Sequence, residues 1–150
     1  MQMSEIMRDV RKAVIPSAKR IVASGQQHAP ICIIHGKDGV QVMLFQGFGD
    51  EAEKEAASVI MQGLCRKHDA DYCVFVSECW YVNRAETVDI ESIRPSEQLD
   101  MKEAINIMVN APDGHNRSIM IPIIRSGKKV AFGRMKIGRH NLGGRFVFTW

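Results

Sequence analysis

No acidic residue follows Asp113: the last thirty-seven positions carry eight Lys/Arg and no Asp or Glu, whereas residues 1–113 hold all 17 acids against 12 Lys/Arg. A formal net charge of +3 therefore hides a bipolar chain. Prolines are few and no low-complexity tract or internal repeat is present, which excludes disordered and fibrous classes. No apolar run approaches the ~20 residues needed to span a bilayer. Met1–Asp9 is too polar for a secretory signal, so the expected compartment is the cytoplasm and no membrane is expected as a partner. Glycine-flanked nucleophile elbows, phosphate-binding loops and paired-histidine motifs are missing as well.

What remains is the composition of a globular chain, long enough to bury roughly 70% of its unfolded surface in one domain, 1–150. Its four cysteines, Cys32, Cys65, Cys73 and Cys79, are expected to be reduced thiols. If residues 71–83 form a strand, Cys73 and Cys79 lie about 20 Å apart on it and cannot share an ion. Neither a metal site nor a cofactor is expected.

Met3, Ile6, Met7, Val10, Val14, Ala18 and Ile21 recur at helical spacing, with Ser4 as N-cap and a kink or break expected at Pro16. The β-branched runs 31–35 and 40–46 flank Gly36-Lys37-Asp38-Gly39 and predict a hairpin. Asp50 and Glu53 form a variant capping box ahead of a helix over 51–68, whose expected buried stripe is Ala52, Ala56, Val59, Ile60 and Leu64. A long strand over 71–82 follows, then an excursion, 84–101, without periodicity. Segments 103–111 and 117–125 flank Pro112-Asp113-Gly114 and predict a second hairpin, with Pro122 at an edge or a bulge. The basic extension 126–150 adds a short strand over 129–135 and a terminal strand in which Phe146, Phe148 and Trp150 alternate, joined by turns at Ser126-Gly127 and around Gly143-Gly144.

The fold class is thus α+β: an antiparallel sheet of about five to six strands with two main helices, in the order α-β-β-α-β-β-β plus a C-terminal strand extension. Several strands are apolar on both faces, as in Cys73-Val74-Phe75-Val76. With both helices expected on one face, the other needs cover from the 84–101 excursion, the tail or a second subunit, and a homo-oligomer is expected.

Ser77-Glu78-Cys79-Trp80 and Arg94-Pro95-Ser96-Glu97, followed by Asp100 and Glu103-Ala104, resemble a loose group of small bacterial and phage-type proteins without assigned activity. The resemblance spans residues 70–125 and implies a shared fold and a prokaryotic or phage setting.

Two constellations bear on function. Glu78 shares a strand face with Val74 and Val76, where burial would raise its pKa and suit it to acid–base work, as in a small hydrolase-like enzyme whose pocket is closed by 84–101. The plainer expectation is an ion pair with Arg84, Arg94 or another cation. Arg125, Lys128, Lys129, Arg134, Lys136, Arg139 and Arg145 are interleaved with Phe132, Phe146, Phe148 and Trp150, a combination that suits nucleic acid, or an acidic protein surface if the aromatics face inward. Three readings stay open: a non-enzymatic oligomeric binding module for an anionic partner, the enzyme, and a structural or assembly protein of a phage or mobile element.

Overall fold

In the computed structural model the described residues are 1–81, 102–139 and 145–150, the side chain of Arg139 excepted. The 84–101 excursion and the turn around Gly143-Gly144 lie outside them.

The chain opens with a helical segment in three parts, α1 (Met3–Asp9), a π-helical turn (Val10–Val14) and α2 (Ile15–Ala23). It starts two residues earlier than Ser4 would cap it: Gln2 is the N-cap, its backbone N–H donating to Glu5 Oε2 at 3.0 Å. At the place where a kink or break is expected, just before Pro16, the helix continues through the π turn, in which the Ile15 N–H reaches back five residues to Val10 O. Proline has no N–H to continue the α-helical ladder, and the wider turn absorbs that loss.

The sheet contains β1 (Ile31–Gly36), β2 (Gly39–Leu44), β3 (Tyr72–Tyr81), β4 (Lys102–Asn110), β5 (Arg117–Ser126), β6 (Lys129–Phe132) and β7 (Lys136–Arg139), with α3 (Glu51–Lys67) between β2 and β3. All pairings are antiparallel, and the order is β2-β1-β3-β4-β5-β6, with β7 also on β5. The α+β class and the two hairpins are as the sequence predicts. Asp50 caps α3 by accepting from Glu53 N–H at 2.8 Å, while Glu53 reaches back to the Gly49 N–H.

Helix placement differs from expectation: each face has its own. Against the first face, Ile6, Val10, Val14, Ala18 and Val22 pack on Val74, Val76, Ile105, Ile107, Ile119 and Ile121. Against the second, Met61 and Cys65 of α3 pack on Cys32, Ile34, Cys73 and Phe75, together with Phe148 of the C-terminal segment. Strands that are apolar on both faces are thereby covered from within the chain. The buried stripe of α3 also shifts, to Ala57, Ser58, Met61 and Cys65, leaving Val59 and Ile60 exposed.

Residues 145–150 make no strand. They begin in a turn at 145–146 and lie on the second face without regular structure, with Phe146 stacked on Phe75 at 4.1 Å between centroids. Side chains take the place of a ladder: Asn110 Nδ2 donates to Phe146 O at 2.8 Å, Phe148 N–H donates to Asn110 Oδ1 at 3.2 Å, and Trp150 Nε1 donates to Ala70 O at 3.3 Å. The Ser58 hydroxyl donates to Arg145 O. No helix of the described residues is long and apolar enough to cross a membrane.

Candidate anion-binding edge and the Glu78 cleft

The basic residues lie where β5 turns back on itself. Ser126-Gly127-Lys128-Lys129 makes the turn, with Gly127 at φ +61°, a conformation that favours glycine. Along β5 the partner strand changes register. Ile123 faces Phe132 and Met120 faces Lys136, so Gly133, Arg134 and Met135 stand opposite Ile121 and Pro122. Three residues against two is a β-bulge, the alternative expected for Pro122. Gly133 N–H donates to Pro122 O at 2.9 Å, and a Cβ on Gly133 would lie 2.9 Å from Pro122 Cβ.

The seven predicted cations divide. Lys128 in the turn, Lys129 opposite Ser126, Arg134 in the bulge and Lys136 opposite Met120 are exposed along one edge, with no acidic partner among the described residues. Arg139 ends β7 opposite Arg117. Arg125 is committed to Glu103, Nε to Oε2 at 2.7 Å. Arg145 stands apart, held by Glu51 and Glu55 near the acidic N-terminal end of α3. Those two carboxylates of α3 neutralise it, so it does not count among the unpaired cations of the basic edge.

Lys19 joins the edge from α2, with Nζ 5.4 Å from the centroid of the Phe132 ring. The sequence carried no signal for it, since contact between α2 and β6 is a property of the tertiary fold. Phe146, Phe148 and Trp150 face the interior of the second face, which removes them as a platform for bases.

Glu78 lies on β3 opposite Ile105. Its Oε1 accepts the backbone N–H of His28 at 3.0 Å, fixing the connection between α2 and β1. His28 is itself buried, its Nδ1 bonded to Ala29 O at 2.7 Å. Glu78, Glu103, Arg125 and Trp80 line a cleft of about 410 Å³. The described partner of Glu78 is thus a backbone amide, while the proposed arginine partners, Arg84 and Arg94, fall outside the described residues, as does the 84–101 lid.

Three thiols meet on the second face. Cys32 Sγ and Cys73 Sγ are 3.4 Å apart and Cys65 bonds to the same Cys73 thiol. Those thiol contacts, then burial, push Cys73 well up, whereas its hydrogen bond pulls Cys65 down. Burial, then the Glu78 charge, pushes Cys79 up to about 11. Among the described residues no group of His, Cys, Asp and Glu is arranged to hold a metal ion.

Compared with known proteins, the chain matches no family model, no curated protein and no solved structure.

Proposed function

We propose that the protein is a non-enzymatic binding module that meets an anionic partner along the β6–β7 edge, with nucleic acid first and an acidic protein surface second. The observation that carries the reading is the row Lys128, Lys129, Arg134 and Lys136, exposed and without acidic partners among the described residues. A cation already neutralised by a carboxylate gains little from a phosphate; these four keep their full attraction. With the tail aromatics turned inward, recognition rests on charge and shape, and base stacking plays no part in it. A cytoplasmic, prokaryotic or phage setting belongs to the same reading.

The enzymatic alternative draws on the cleft that holds Glu78 and Glu103. It is the weaker reading, because Glu78 is engaged by the His28 amide and Glu103 by Arg125. An assembly role remains compatible with the exposed surfaces.

Deleting 126–150 would strip β6, β7 and Phe148 from the fold, so charge reversal is the cleaner test. Wild type and the quadruple variant Lys128→Glu, Lys129→Glu, Arg134→Glu, Lys136→Glu are compared for binding to a labelled single-stranded oligonucleotide, a duplex and a polyglutamate peptide. If four phosphate contacts form, log K falls against log salt with a slope of about −2.8 on single strands and about −3.6 on duplex. Equal binding by the two proteins, or binding insensitive to salt, would refute the reading.

A further inference from the structure

The two edges of the sheet are built in opposite ways. An edge strand offers unpaired N–H and C=O groups to any other strand, and folded proteins normally guard it with lysines, prolines or bulges. The β6–β7 edge has such guards: Lys129, Arg134, Lys136 and the bulge at Pro122. Among the described residues the β2 edge has none. From Gly39 to Gly49 the chain contains no charged residue and no proline. Val40, Val42 and Leu44 are 55%, 59% and 67% exposed.

These three side chains lie on one face, because Val40 faces His35, Val42 faces Ile33 and Leu44 faces Ile31 across the β1–β2 ladder. They extend the half-buried Ile31 and Ile33 into a contiguous apolar strip, the kind of exposed surface that marks an interaction site. Backbone directions follow from one bond. Phe45 N–H donates to Pro30 O at 2.9 Å, so residue 45 is bonded inward toward β1. Alternation then turns the N–H and C=O of Val40, Val42 and Leu44 outward.

We propose that β2 pairs antiparallel with β2 of a second copy, about a two-fold axis through Val42. Directly opposed residues of an antiparallel pair share a face, which requires Val42 to meet Val42 and Val40 to meet Leu44. That register is also the one in which outward-pointing backbone groups meet, giving about six inter-chain hydrogen bonds. The aliphatic spacing is the same read in either direction, so the strip is complementary to itself. Charge selects the same occupant: an uncharged edge matches a second uncharged edge and offers nothing to an acidic or basic partner. The pairing does not rest on the anionic-partner reading, since its residues are at the opposite edge of the sheet.

Sedimentation equilibrium of the full chain, with Val42→Lys and the control Val59→Lys, tests the proposal. Val59 is equally exposed, on α3. Wild type and Val59→Lys should be dimers at micromolar concentration, and the dimer should persist at about 1 M salt, where charge interactions are screened beyond ~3 Å. Val42→Lys places two like charges opposite each other and should weaken the dimer by at least about 100-fold while keeping the wild-type circular dichroism. Hydrogen exchange supplies a readout free of mutation: amides 40, 42 and 44 should be protected in the dimer and lose protection on dilution. A monomeric wild type, equal loss of dimer in both variants, or concentration-independent protection of those amides by the chain itself would overturn it. Unchanged polyanion binding in Val42→Lys would support it and keep the two readings separate.

Discussion

Asn110 holds the C-terminal segment on the sheet, and replacing it with alanine should detach that segment. The side chain is fully buried and spans a gap that no strand fills, donating to Phe146 O and accepting from Phe148 N–H. Asn110→Ala removes both partners at once and leaves two main-chain groups unpaired beside Phe75. An unsatisfied buried polar group costs about 1–3 kcal/mol, so a loss of about 3 kcal/mol is expected, with partial relief from water entering along the loosened segment. For a domain of this size that lowers Tm by about 6–12 °C.

The assay is urea denaturation of wild type, Asn110→Ala, a chain ending at residue 144, and the two changes combined. If Asn110 acts through residues 145–150, its substitution costs less than about 1 kcal/mol once they are gone. Native-state hydrogen exchange reaches the same point without truncation, since the Phe148 amide should lose protection while β3 and β4 keep theirs. An Asn110→Ala cost below about 0.5 kcal/mol, or an equal cost in both chain lengths, would show that the segment is held by its other contacts and refute the role given to Asn110.

Gly36→Ala should destabilise by more than 2 kcal/mol, on the order of an overpacked core site, because a Cβ there would overlap the His68 carbonyl that accepts from Lys37 N–H; a melt within 2 °C of wild type would contradict that contact. His35 is stacked on Tyr72 at 4.2 Å, and burial holds its pKa below the ordinary 6.5. The unfolded chain therefore binds the extra proton first, so stability falls as pH drops from 6.5 toward the lowered folded value, and His35→Gln should flatten this limb of the stability–pH curve; an unchanged slope would refute the assignment. The native thiols should react slowly with an aromatic disulfide at neutral pH, since Cys32, Cys65 and Cys73 are inaccessible and Cys79 is held near 11, with all four titrating after unfolding; a rapid native phase would count against the buried thiol cluster.

Local signals were legible wherever neighbours along the chain decide the outcome. The Gly36–Gly39 turn, the Asp50 cap and the Pro122 bulge all follow from backbone chemistry within a few residues. Faces were harder to read. The apolar count on α3 favoured Val59 and Ile60, yet the helix turns Ser58 inward because its hydroxyl meets the Arg145 carbonyl. Both helices carry an apolar stripe, and nothing in either one states which side of the sheet it covers. The alternation of Phe146, Phe148 and Trp150 correctly signalled a buried row, but a buried asparagine supplies the hydrogen bonds that a strand would have had. At the basic edge, spacing collected seven cations. Separating Arg125 and Arg145 from the others required knowing where Glu103, Glu51 and Glu55 would come to lie.

The bulge opposite Pro122 also determines where the sheet can grow. A strand arriving at β6–β7 would find its register broken after four residues and its approach crowded by lysine and arginine. Addition at that edge would stall, which leaves the β2 edge as the one smooth edge among the described residues. A pairing that consumes the β2 edge on both molecules would therefore exhaust the smooth edges of the described sheet, so association would end as a closed pair rather than a fibre. The kink that a single proline imposes on a peripheral ladder thus acts as a chain terminator for the sheet as a whole.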